Sequence, residues 1–241
     1  MRPALALLLF CSQTFNGHTQ TLIAGWDFEG ITLPEGSTGT SRSGFFASAG
    51  IQVGVAEASG VHADRRTGWA TPSGNGSGKS LSATSWNVGA YFQFRVSSLG
   101  LSGLTVGWDQ IRDSGASSNF DLSYSIDGAN FTSFASYTVN SSATFADNSS
   151  AGWWSGSTSA TNTSYFYDLS TVTGLDNQSD VFFRLVATSL PTDTRHRVAI
   201  DNVNITGVPE PSALSLVLLG LGGWMAFRRR RQSAGGKGRP L

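Results

Sequence analysis

Apolar and polar residues alternate strictly over short stretches of this chain, and that period of two is its strongest fold constraint. In 90–97, Ala90, Phe92, Phe94 and Val96 share one face, with Tyr91, Gln93 and Arg95 on the other. Leu104, Val106 and Trp108 alternate with Thr105, Gly107 and Asp109. Phe120, Leu122, Tyr124 and Ile126 alternate with Asp121, Ser123 and Ser125. Val181, Phe183, Leu185 and Ala187 repeat the pattern. Side chains of a strand point to opposite faces in turn, so each stretch offers one face to a core and one to water. Further strands are predicted over 22–28, 51–55, 80–84, 131–138, 164–169 and 197–206. Asp127-Gly128, between two such runs, predicts a hairpin turn. About ten short strands joined by Gly, Ser and Asn turns predict an all-β fold, an antiparallel β-sandwich. Residues 140–163, rich in Ser, Thr, Asn and Gly, predict a long irregular loop.

The ends of the chain have a different character. Met1-Arg2-Pro3 leads into an apolar stretch from Ala4 to Cys11, the pattern of a secretory signal peptide over 1–19, with a helical apolar core. Its cut falls before Gln20. Cys11 is the only cysteine, so the mature chain has none and no disulfide. Residues 20–207 form one domain, large enough for a real core. Val208-Pro209-Glu210-Pro211 follows, then an uncharged helical span over 212–227, then Arg228, Arg229, Arg230 and Arg231. Under the positive-inside rule these arginines stay cytoplasmic, with 232–241 as a cytoplasmic tail, so the domain lies outside. Two prolines around one residue disfavour helix and hold Pro209–Pro211 extended, a shape that suits a protease cleft. A permanent membrane anchor is the rival reading of the same span.

Charge narrows the partners. The formal net charge of the chain is zero, but the basic residues of the tail distort that figure. Residues 20–207 hold nine Lys and Arg against fifteen Asp and Glu, a net charge of about −6. Such a domain does not seek nucleic acid or anionic lipid. With no cysteine after processing and only His62 and His196 remaining as imidazoles, no zinc cluster can form. No Gly-x-Ser-x-Gly elbow is present. A hydrolase or lyase with paired carboxylates is the one enzymatic reading left open. Ser73-Gly74-Asn75-Gly76-Ser77-Gly78-Lys79-Ser80 approaches a phosphate-binding loop, but Ser73 replaces its first glycine and no helix follows, so a turn is expected. Trp153 and Trp154, inside the polar 140–163 loop, are candidates to stack on sugar rings. The competing reading folds them back over a sheet edge.

Two resemblances rest on these residues. Pro209-Glu210-Pro211, the apolar span and the arginine cluster resemble the PEP-CTERM sorting signal of exported bacterial proteins. The resemblance implies Sec export, a brief stay in the inner membrane, and recognition and cleavage near the motif by exosortase, followed by release to the cell surface or matrix. Phe120 to Phe131, with its Asp127-Gly128 turn, resembles a hairpin of jelly-roll domains, including many carbohydrate-binding modules. Trp26-Asp27-Phe28-Glu29 resembles their first strand, and Ala199 to Ile205 their last. This likeness implies a jelly-roll-like sandwich and a structural calcium between first and last strands, held here by Asp27, Glu29 and Asp201. The alternative for Asp201 is that it caps a bulge or pairs with an arginine such as Arg197. The expected function is a non-catalytic surface or matrix protein of adhesive or structural role. The alternative is a carbohydrate-binding module for exopolysaccharide.

Overall fold

The computed structural model describes residues 19–141, 154 and 156–210. Twelve strands run through them: β1 Thr21–Trp26, β2 Ser41–Phe46, β3 Glu57–Val61, β4 Trp69–Ala70, β5 Leu81–Ala83, β6 Tyr91–Val96, β7 Leu101–Arg112, β8 Asn119–Ser125, β9 Thr132–Thr138, β10 Ser164–Asp168, β11 Val181–Ala187 and β12 Val198–Pro209. They form two six-stranded antiparallel sheets. The first has the order β10-β7-β12-β5-β4, with β1 also paired to β12. The second has the order β2-β3-β6-β11-β8-β9. The chain crosses between sheets at β1–β2, β3–β4, β5–β6, β6–β7, β7–β8, β9–β10, β10–β11 and β11–β12. The expected antiparallel β-sandwich is therefore present.

The alternating residues become the core. Phe92, Phe94, Val96, Phe120, Leu122, Val181, Phe183 and Leu185 are all buried. Trp86 fills the space beneath them, with ring centroids 4.8 Å from Phe92 and 5.4 Å from Phe120. His62 joins this cluster, 4.4 Å from Trp86 and 5.1 Å from Trp69. Burial lowers its pKa to about 4, so it is a neutral core residue near neutral pH rather than a base.

Three short strands escape the pattern. β4 is only two residues long, β2 buries Phe45 alone, and β3 turns Ala58 and Gly60 inward. At Gly60 in β3 a side chain would collide with the Trp69 ring, which lies against the bare backbone. The expected strand at 51–55 is instead a run of turns. Ile51, Val53 and Val55 do alternate, but they are exposed by 61%, 54% and 75%. Gly50 and Gly54 take positive φ of 93° and 72°, which turns the chain back. Gln52 then pins the turn to Ser97 through bonds of 2.6 and 2.9 Å.

The last strand reaches further than the expected boundary at 207. Pro209 pairs opposite Leu101, and the Glu210 N–H donates to the Gly100 carbonyl at 2.9 Å. The first two residues of the Pro-Glu-Pro motif are thus extended and tied to the sandwich edge. The predicted signal helix (1–19) and the predicted membrane span (212–227) lie outside the described residues, save Thr19, as do Pro211 and Arg228 to Arg231. Among the described residues no helix is long and apolar enough to cross a membrane.

Candidate functional site

Two of the three carboxylates expected to hold calcium converge on the Ser73–Ser80 loop, but they meet hydrogen donors there. Asp201 is fully buried where β12 bulges, between Asp201 and Asn204, with Asn202 at φ 47°. Its Oδ1 accepts the Asn202 N–H at 2.8 Å. Its Oδ2 accepts the Asn75 N–H at 2.7 Å and lies 2.6 Å from the Ser77 hydroxyl. Asp201 thus caps the bulge and fixes the loop. The Ser77 hydroxyl also lies 3.0 Å from the Lys79 carbonyl, so one hydrogen faces two acceptors. When it serves the carbonyl, Asp201 must carry the proton that bridges to Ser77. Burial raises the Asp201 pKa to about 7, with the nearby charge of Asp109 adding to the effect.

Asp109 lies opposite Asp201 on β7. It accepts from Asn75 Nδ2 at 2.9 Å, Asn202 Nδ2 at 2.8 Å and Ser164 Oγ at 2.5 Å. Asn75 closes the network by accepting the Ala160 N–H at 2.7 Å. The stretch that resembles a phosphate loop is therefore a latch between strands and loop, with the N–H groups of Gly74, Asn75, Lys79 and Ser80 already committed.

Glu29 accepts the Lys79 N–H at 2.8 Å. The Lys79 ammonium donates to the Glu29 and Ile31 carbonyls at 3.0 and 2.8 Å. Asp27 accepts the Glu29 N–H at 3.1 Å and so caps the turn after β1. A lysine cation already sits on carbonyls beside Glu29, and among the described residues no three acidic, His or Cys side chains gather around one point. The donor set of Asp27, Glu29 and Asp201 does not fit a shared calcium ion in this arrangement.

Trp154 is 1% exposed, packed against Ile111 and Ala199, and its indole N–H donates to Thr163 Oγ1 at 3.3 Å. It supports the first sheet and offers no face to a sugar, which corrects the stacking expectation for this residue. The indole gains more from leaving water than an exposed loop position would allow. Trp153 lies outside the described residues.

The outer face of the second sheet carries residues that sequence reasoning left as the polar side of strands. Because Phe92, Phe94, Phe183 and Leu185 point inward, Tyr91, Gln93, Arg95, Phe182, Arg184 and Val186 point out. Register sets them in rows. Ser59, Gln93, Arg184, Ser123 and Ser133 line up across five strands as one polar row. Glu57, Arg95, Phe182 and Ser125 form the row on one side, and Val61, Tyr91, Val186 and Asp121 the row on the other.

At the centre, the Arg184 guanidinium lies 4.0 Å from the Tyr91 ring centre and 3.6 Å from that of Phe131. The rings approach from opposite sides of β11: Tyr91 from β6, and Phe131 from the turn that β8 and β9 share. Arg184 Nε donates to Gln93 Oε1 at 2.8 Å. Half-burial lowers the guanidinium pKa from its ordinary value, partly offset by Tyr91. Aromatic rings, an amide, a guanidinium and hydroxyls on one open sheet face match a sugar chain, which presents apolar C–H faces and a fringe of hydroxyls. The signal in the sequence was the outward triplet Tyr91, Gln93 and Arg95. Its partners Arg184 and Phe131 are 93 and 40 residues from Tyr91, so only the sheet register joins them.

No family model and no curated protein matches the chain. Among solved structures it is similar to the module TmCBM61 in complex with β-1,4-galactotriose, at 9% identity and TM-score 0.36, over 70% of this chain and 90% of that one. It is similar to the family 11 carbohydrate-binding module from Clostridium thermocellum in complex with a β-1,3-1,4-mixed-linked tetrasaccharide, at 14% identity and TM-score 0.38, over 80% of this chain and 98% of that one. It is also similar to the K2 cleaved adhesin domain of Lys-gingipain, at 14% identity and TM-score 0.40, over 80% of this chain and 99% of that one. All three likenesses are loose.

Proposed function

We propose that this chain is an exported protein whose β-sandwich binds polysaccharide through the outer face of its second sheet. The observation that carries this is the Arg184 guanidinium packed against Tyr91 and Phe131 in the polar row on the outer face of the second sheet. The Arg184–Tyr91–Phe131 packing also stabilises the sheet; what favours a ligand is that it stands on an outer face beside the Gln93 amide with guanidinium donors to spare. The glycan-binding reading therefore stands ahead of a purely adhesive or filler role. No catalytic step is part of it.

Export and sorting belong to the same proposal and rest on the sequence. Residues 1–19 are read as the signal for Sec, and the Pro209-Glu210-Pro211 motif, the apolar span and Arg228 to Arg231 as the exosortase signal. The protein would pause in the inner membrane and then reach the cell surface or the exopolysaccharide matrix. Because β12 runs through Pro209, the processing enzyme would meet the motif directly at the edge of a folded domain.

Affinity gel electrophoresis of the full chain in non-ionic detergent, against a panel of neutral and acidic polysaccharides, tests the binding. Retention on at least one polymer is expected, weakened about tenfold or more in Tyr91→Ala. No retention on any polymer, with the protein abundant in the matrix, would favour the structural role. Mass spectrometry of the native protein tests sorting. A chain running from near Gln20 to near Pro211 is expected, and an intact Leu241 confined to membranes would mean a permanent anchor.

A further inference from the structure

Resting on the glycan-binding reading, we infer that this face selects sugars that carry a carboxylate, and that Arg184 is the group that reads it. A guanidinium has five N–H donors in a fixed fork. Among the described residues Arg184 spends one, on Gln93 Oε1, and has no carboxylate within ion-pair distance. Arg95, in the next row of the same face, differs: its guanidinium pairs with Asp180 at 2.6 Å. Arg112, half-buried at the sandwich edge, spends its donors on the carbonyls of Val139, Asp113 and Ser114. Arg184 is held in place by two rings and an amide, its charge is partly stripped of water, and its outer donors are left over.

That arrangement is costly alone and favourable with an anion. A desolvated cation gains most from a charge-assisted bidentate bond, and a planar carboxylate fits the fork. A neutral sugar hydroxyl supplies one acceptor and no charge. The two acids on the same face do not cancel the arginine at contact range. Glu57 Oε1 accepts the Gly44 N–H at 2.7 Å, and Asp121 Oδ2 accepts from Ser133 at 3.3 Å. The domain as a whole is acidic, about −6, so a polyanion is not drawn to it by general attraction. Recognition of a uronic acid must come from a local contact. Gln93 and Ser59, along the polar row, would take the hydroxyls of that sugar and its neighbours.

The test uses matched polymers. The full chain in detergent is titrated with polygalacturonate, alginate, hyaluronan and glucuronoxylan, each beside its carboxyl-reduced form, at two salt concentrations. Preference for an acidic form by about tenfold or more is expected, falling to near parity in Arg184→Ala. Arg184→Lys, which keeps the charge but loses the fork, is expected to lose most of the preference. Thermal melts of each variant check that the fold persists. Equal or stronger binding to the reduced polymers would overturn the carboxylate inference and leave glycan binding intact. An acidic preference that survives Arg184→Ala would overturn the assignment to Arg184. Failure to bind any polymer in either form would overturn both readings.

Discussion

Asparagine at position 201 should unmask a pH dependence that two buried groups hide in the natural protein. Asp201 has its pKa raised from 3.8 to about 7 in the folded state. The folded chain therefore holds a proton that the unfolded chain releases, and stability falls as pH rises from about 4 to about 7. His62 is the opposite case, lowered from 6.5 to about 4. The unfolded chain binds the extra proton, so stability rises with pH from about 4 to about 6.5. At about 1.4 kcal/mol per pH unit, between pH 5 and pH 8 Asp201 removes about 3 kcal/mol and His62 adds about 2. The two nearly cancel, and the natural protein should look almost level. In Asp201→Asn only the His62 contribution survives, so stability should rise by about 2 kcal/mol over the same interval. Carboxylates with lowered pKa, such as Asp127 and Asp193, titrate below this window and leave the comparison clean. The amide also faces the Asn75 and Asn202 N–H donors, at a cost of about 1–3 kcal/mol at every pH. The slope, not the level, is therefore diagnostic. Urea unfolding at pH 5, 6, 7 and 8 measures it. Parallel profiles for the two proteins would refute the reasoning, since Asp201 would then titrate as an ordinary carboxylate.

Trp154→Ala should cost about 3–5 kcal/mol of stability by emptying the space between Ile111 and Ala199. It should leave polysaccharide retention unchanged after correction for unfolded protein, as read by urea melts and affinity gels. Millimolar calcium or a chelator should not move the melting temperature, because the Lys79 ammonium already occupies the Glu29 and Ile31 carbonyls. A clear rise with calcium would return Glu29 and Asp201 to a metal-binding role. Asp127→Ala should lower the melting temperature and loosen the β8–β9 hairpin, seen as faster amide exchange at Ala129 and Asn130. Both of those N–H groups donate to its carboxylate, at 2.9 and 2.8 Å.

The period-two pattern was enough to place β6, β7, β8, β11 and most of β12, because a strand buried on one face must alternate and that signal is local. Asp127-Gly128 placed the hairpin for the same reason. The turn at 51–55 was misread because Ile51, Val53 and Val55 alternate as a strand would, while the deciding fact is the positive φ of the glycines beside them. β2, β3 and β4 carried little signal: β4 is two residues long, β2 buries only Phe45, and the inward positions of β3 are Ala58 and Gly60, which make room for Trp69 and Phe92.

The candidate site divides along the same line. The outward side of β6 was legible as Tyr91, Gln93 and Arg95. Asp201 was legible as a buried carboxylate that needs a partner, but its donors come from a loop more than a hundred residues earlier in the chain. What only the tertiary structure decided is which distant residues share a row. The antiparallel register of β6, β11 and β8 sets Arg184 beside Gln93 and Ser123 and leaves its charge without a carboxylate. Sequence by itself determined that there would be a face to water, because side-chain direction follows from backbone geometry. Strand pairing determined what that face can bind, because register is settled by long-range burial that no single strand contains.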